Sequence, residues 1–300
     1  MTTTSNRTSE TTGERRPRAA GAVRAALRLT RTRIGLSLTV LVLAVATLGP
    51  LLAPHASDAF VGTPYSGPTG QAMFGTDNLG RDVLTRFLHG GQTVLVLAVL
   101  AAVLGVGGGT AVGVIAGYRR GALDEILMRL SDVALAFPQV VLALLFVSVV
   151  GPQLWLLVLV VGGSHVPRVA RVVRAATLAV AERDFVKSAQ AIGVPGWRIM
   201  ATEIVPNVAG TVLVEFGLRL SYSVGLVAAL SFLGLGLQPP AADWGLMINE
   251  NRIALTVQPW AVVLPMLAVA LLTIGTNLVA DGLARSVAGV DRGIETGAVS

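Results

Sequence analysis

The chain has 300 residues, 53% of them hydrophobic and only 13% charged, with a mean hydropathy of +0.71. That is too little charge to clothe a soluble fold of this size. Cysteine is absent, which excludes disulfides and thiolate metal sites. The sequence pI of about 10.9 would suit nucleic acid, but the uneven distribution of the charge reads as a membrane-topology signal, so no nucleic-acid partner is expected.

Residues 1–20 are rich in Thr, Ser, Arg and Glu without apolar periodicity and are expected to be disordered. A bilayer core about 30 Å thick needs ~20 apolar residues per helical span. Helices suit it because they satisfy their own backbone hydrogen bonds away from water. Six spans are predicted, near 34–53, 94–116, 134–150, 154–170, 209–231 and 260–280. The fold class is therefore an all-α integral membrane protein. The first span reads as an uncleaved anchor, its apolar stretch being longer than a signal-peptide core.

The expected organisation is a basic tail at 1–33, a first span and outer segment at 34–92, a membrane domain at 93–284, and a tail at 285–300. Arginines crowd the tail before span one and the segments after spans two and four, while the opposite loops hold only Arg81, Arg86 and Arg252. By the positive-inside rule both termini are cytoplasmic.

In the outer segment, Thr76 or Asp77 is expected to cap a short amphipathic helix through Leu79, Val83, Leu84, Phe87 and Leu88. Span two carries a Gly109/Gly113 pair, read as helix packing rather than gating. Gly151-Pro152-Gln153 makes a tight hairpin between spans three and four. His165, near the end of span four, reads as a hydrogen-bonded structural residue rather than a metal ligand.

The loop 175–207 reads as two helices, roughly 178–191 and 195–204. Gly193 ends the first in a left-handed conformation, Pro195 opens the second, and Pro206 breaks it before span five. From the residues alone this elbow is either a docking surface or a structured connector. Within span five, Glu215 and Arg219 share a helix face. They are either an internal pair or part of a solute pathway. No Walker-type phosphate loop occurs, and Lys187 is the only lysine. The chain is therefore not expected to hydrolyse ATP, and no catalytic, cofactor or metal site is expected in it.

Four stretches resemble the permease subunits of bacterial ABC importers of the dipeptide, oligopeptide and nickel group. One is Phe74-Gly75-Thr76-Asp77-Asn78-Leu79-Gly80-Arg81-Asp82-Val83. A second is Asp124 to Arg129 with Asp132 and Phe137-Pro138. A third is Leu230-Ser231-Phe232-Leu233-Gly234-Leu235-Gly236, continuing to Trp244-Gly245. The fourth is the elbow, similar to the family's E-A-A-x-x-x-G loop. Here it reads Lys187-Ser188-Ala189-Gln190-Ala191-Ile192-Gly193, so lysine and serine replace the glutamate and first alanine.

The resemblance implies a permease in the cytoplasmic membrane of a bacterium. Its partners would be a second related permease, two ATP-binding cassette ATPases that hold ATP and magnesium, an extracytoplasmic binding protein and membrane lipid. It implies peptides as solutes, with nickel complexes, glutathione or other small solutes as alternatives. A secondary transporter is the rival class. Asp184, Lys187, Ser188, Ala189, Gly193, Trp197 and Arg198 would then couple the chain to the ATPase. Phe74, Gly75, Thr76, Asp77, Gly80, Arg81 and Asp82 would seat the binding protein or seal the pathway, with local caps and surface charges as the competing reading of Arg81 and Asp82. Arg219 would meet a peptide carboxylate.

Overall fold

The computed structural model describes residues 19–288. The expected disorder of 1–18 and the tail beyond 288, Arg292 included, lie outside the described residues. The chain forms twelve helices in the described region: α1 (Ala19–Ala26), α2 (Thr30–Leu52), α3 (Val83–His89), α4 (Gly91–Arg119), α5 (Gly121–Ala136), α6 (Gln139–Val150), α7 (Leu154–Ala181), α8 (Asp184–Ala191), α9 (Gly196–Ile199), α10 (Val205–Phe232), α11 (Trp244–Asn251) and α12 (Trp260–Ala288). No strand forms among these residues beyond two isolated bridges, Phe60 with Arg81 and Thr76 with Asp82.

Five helical stretches are long and apolar enough to cross a membrane, and a sixth is added if α5 and α6 cross as one bent span. The predicted span 134–150 is corrected here. Pro138 lacks a backbone N–H and pushes Phe137 into extended backbone, so the chain bends 82° between α5 and α6. The 12 residues of α6 reach only ~18 Å.

Two other boundaries move. The fourth span runs on to Ala181, because Val169, Val173, Thr177 and Val180 are buried along one face of α7. The predicted elbow helix 178–191 therefore begins only at Asp184. Pro206 does not break the chain before span five. It falls in the first turn of α10, where its missing N–H is tolerated, and a π-helical turn at Met200–Ile204 continues the helix from α9.

The α4–α7 contact is a ridge of glycines four residues apart. A Cβ at Gly105, Gly109, Gly113 or Gly117 would lie 2.5–2.9 Å from α7 atoms, backbone oxygens among them. The predicted Gly109/Gly113 pair is thus the centre of a longer seam, on which the two helix backbones approach as closely as small residues permit. His165 of α7 is buried and its Nε2 lies 3.0 Å from Ser223 Oγ on α10, the structural role expected of it. On the other side of α10, α12 packs against α2, with Gly35 beside the Gly275 carbonyl. The main core lies between α4, α7, α10 and α12, around Leu97, Leu157, Val161, Val227, Leu230 and Leu272.

Candidate functional site

At one end of the bundle, α8 and α9 form the predicted elbow. Val186 and Ile199 are fully buried and anchor it on α7, while Asp184, Lys187, Ser188, Gly193, Trp197 and Arg198 are exposed and Ala189 is half-buried. Helix α8 ends as expected. Gly193 has φ +79°, and Gly193 N and Val194 N donate to the carbonyls of Gln190 and Ala189 at 3.0 and 3.1 Å. Ile192 and Trp197 are 80% and 68% exposed, so the elbow presents apolar surface at its tip. Trp197 also borders an apolar crevice of about 220 Å³ with Val114 and Ile115 of α4.

Lys187, which stands where the family pattern has glutamate, lies 3.4 Å from Glu182. Glu182 also accepts from Arg120 at the end of α4. Arg120 first, then Lys187, hold the Glu182 carboxyl below the usual carboxylate range. The elbow is thereby tied to the α4–α5 corner through a carboxylate five residues before the lysine.

At the opposite end, Phe74–Val83 builds a closed clasp. Thr76 and Asp77 do not cap a helix. Asp77 Oδ1 instead accepts from the backbone of Leu79 and Arg81, both at 2.9 Å, and Leu79 stays outside the helix with its side chain exposed. The cap of α3 is Asp82, which accepts from Thr85 N at 3.0 Å and Thr85 Oγ1 at 2.6 Å. Gly75 and Gly80 have φ +75° and +82°, and a Cβ at either would strike Gln258 or the Gly62 carbonyl. Phe74 packs edge-on against Trp260, with ring centroids 5.5 Å apart.

Asp82 is thus a local cap, as one reading had it, but Arg81, Asp82 and Arg86 are all buried, which corrects the reading of Arg81 and Asp82 as surface charges. Arg81 Nε meets Asp77 Oδ2 at 2.7 Å and its Nη2 meets Glu250 Oε2 at 3.3 Å. Arg86 Nη2 lies 2.9 Å from the same Glu250 oxygen and Nη1 3.5 Å from Asp77. Two arginines and two carboxylates therefore close a net-neutral network, the condition under which buried charge is tolerated. Burial pushes the Glu250 carboxyl up, against the opposing pull of Arg81.

The span-five motif is the hinge between this clasp and α10. Gly234 has φ +82° and ends the helix after Phe232 and Leu233. Gly236 packs on Ser231 so closely that a Cβ would lie 2.6 Å from its Oγ. Ser231 donates to Asp243, the buried cap of α11, which also accepts from Leu246 N at 3.0 Å. Burial pushes the Asp243 carboxyl above its usual range. Trp244 is wholly buried, stacked on Phe87, and donates to the Phe87 carbonyl at 2.9 Å.

Sequence reasoning did not single out Glu250, Asn251 or Gln258. Asn251 accepts from Asn78 N, and Gln258 donates to the Ser66 and Phe74 carbonyls. Their only local signal is polar residues in an otherwise apolar outer segment.

Inside the membrane, Glu215 and Arg219 form an i,i+4 pair at 3.2 Å, both buried, and the Arg219 guanidinium lies 5.2 Å from the Tyr222 ring centroid. The geometry is that of the internal pair. Arg219 is engaged by its own helix. No group of three or more metal-ligating side chains occurs among the described residues.

Residues 109–289, more than half of the chain, match the family described as binding-protein-dependent transport system inner membrane component. The chain is 35% identical over 246 residues to the glutathione transport system permease protein GsiD of Pectobacterium atrosepticum, covering 81% of this chain and 82% of that protein. It is 37% identical to the proteins of the same name from Escherichia coli and Shigella boydii, covering 81% of each chain.

Proposed function

This chain belongs to the family of binding-protein-dependent transport system inner membrane components, and from that premise we propose that it carries peptides as one permease of an ATP-driven importer. It is an ABC importer permease subunit and a multi-pass inner-membrane protein. The observation that carries the reading is the family match, which begins within α4 and takes in the elbow and α12. Peptides are favoured because the similar proteins are named for glutathione transport, and glutathione is a tripeptide. Nickel complexes and other small solutes are the alternative.

In this reading both termini are cytoplasmic, as the arginine distribution favours. A second permease completes the pathway, two ATPases bind ATP and magnesium, and an extracytoplasmic protein delivers the solute. The chain itself is non-catalytic. The elbow takes the push of the ATPase through Asp184, Lys187, Ser188, Ala189, Gly193, Trp197 and Arg198. Its support is an anchored base at Val186 and Ile199 beneath an exposed apolar tip, the pattern of a surface awaiting a partner. The Phe74–Asp82 clasp seals the bundle at the end where the binding protein would dock.

Proteoliposomes holding this chain with its partner permease and ATPases, supplied with binding protein, should accumulate radiolabelled di- and tripeptides only with ATP. Uptake of nickel complexes with none of peptides would overturn the solute assignment. Uptake driven by an ion gradient without ATP would overturn the importer reading.

A further inference from the structure

An open cavity of about 460 Å³ lies on the flank of the bundle between α6, α10 and α12. That is within the ~300–1,000 Å³ usual for small-molecule sites. Its wall carries Gln139, Ser221, Tyr222, Thr273 and Asn277, with Gly225 between them. Three of these groups are engaged within the protein. Ser221 and Thr273 donate to helix carbonyls at 3.0 and 2.8 Å, and Gln139 donates to Ser164 Oγ at 2.9 Å. Tyr222 and Asn277 are exposed, and neither side chain meets a hydrogen-bond partner among the described residues. Both stand well inside helices long and apolar enough to cross a membrane.

A carboxamide and a phenol are not left facing lipid, where nothing can satisfy them. The α2 face shows the contrast, with Leu36, Val40, Leu41 and Leu43 exposed along another such helix. The lining of the cavity carries no formal charge. The Arg219 guanidinium, 5.2 Å from the Tyr222 ring centroid, is paired with Glu215.

We propose that this cavity is the solute-contacting wall of this chain's half of the transport pathway, with Tyr222 and Asn277 as the groups that touch a passing hydrogen-bonding, neutral or zwitterionic solute of the peptide class. The proposal rests on the importer reading above. An amide offers both a donor and an acceptor, matching the peptide unit. A wall without net charge lets the solute leave, which transit requires as much as entry. Arg219 is a positioning residue that fixes the Tyr222 ring.

The chain lacks cysteine, so single cysteines report without background from it. Tyr222→Cys, Asn277→Cys and Gly225→Cys are placed in the assembled transporter in proteoliposomes. A Cβ at position 225 meets nothing within 4 Å, so this third variant guards against misfolding of the first two. Val40→Cys, on the apolar face of α2, is the control.

The probe is the charged thiol reagent sulfonatoethyl methanethiosulfonate. Thiolate is the reacting form and apolar burial raises the thiol pKa, so the cavity positions should label about tenfold or more faster than position 40. Saturating trialanine should slow labelling at 222 and 277. Labelling as slow as at position 40 would mean that the face lies against lipid or is packed beneath the partner permease, and overturns the proposal. Fast labelling that trialanine leaves unchanged overturns the assignment of solute contact. ATP-driven trialanine uptake by the cysteine-free parent is measured alongside. Uptake without labelling defeats the cavity alone, whereas labelling without uptake defeats the peptide class alone.

Discussion

The α4–α7 seam gives the sharpest test of how this bundle is held together. Replacing Gly113 by alanine adds one carbon. That carbon would lie 2.6 Å from the Ala170 carbonyl oxygen and 2.9 Å from both Arg174 N and Val173 Cβ. Two of the three atoms are backbone and cannot rotate away, so the helices must part by several tenths of an ångström. Overpacking of this kind costs about 1–3 kcal/mol. Alanine in place of glycine returns about 1 kcal/mol of helix propensity. The net expectation is a loss of roughly 0–2 kcal/mol for Gly113→Ala. Gly107, on the exposed face of the same helix, has nothing within 4 Å of its Cβ position. Gly107→Ala keeps the propensity gain alone, so the difference between the two variants isolates packing at about 1–3 kcal/mol. Thermal unfolding of the purified permease pair should place Gly113→Ala below wild type and Gly107→Ala at or above it. Equal transitions for the two variants would refute the close-packed seam.

Three further outcomes follow from local geometry. Gly193 holds φ +79° with open space around it, so Gly193→Val meets dihedral strain of about 1–2 kcal/mol rather than a clash. Gly193→Asn, which tolerates that region, should keep ATP-driven uptake where valine loses it; equal uptake by both would separate the turn from coupling. Asp243 has its carboxyl raised by burial, so its contribution to stability is full below the ordinary carboxyl value and is lost as pH rises through the raised one. Asp243→Asn keeps the α11 cap and should flatten that part of a melting-temperature profile, and an unchanged slope would contradict the burial argument. Arg219→Leu strands Glu215, which is 5% exposed inside a span, at a cost of about 3–5 kcal/mol. Adding Glu215→Leu should recover much of the folded yield, and no recovery would mean that the pair does not act as a unit.

What could be read from the sequence depended on how far apart the interacting residues lie. Spans one, two and six are long, mostly apolar runs without a single charged residue, so composition alone located them. The elbow's stop at Gly193 was legible because its hydrogen bonds close within five residues. The inner half of α7 was missed by hydropathy, since Arg171 and Arg174 dilute the average. Yet Val169, Val173, Thr177 and Val180 keep the helical spacing of a buried face, and Arg174 reaches Asp124 on α5. Periodicity was the better guide there. The π-helical turn before Pro206 left no local mark, because it matters only that the widened turn absorbs a missing donor.

The clasp is the limiting case. Its motif residues look like surface charges until Glu250 arrives from 169 residues away to neutralise Arg81. A buried arginine can be tolerated only with its partner in place. The specificity of Phe74–Asp82 therefore lies in the joint between the outer segment and α11, and a change at Glu250 should be felt at Arg81 and Arg86 together rather than at either alone.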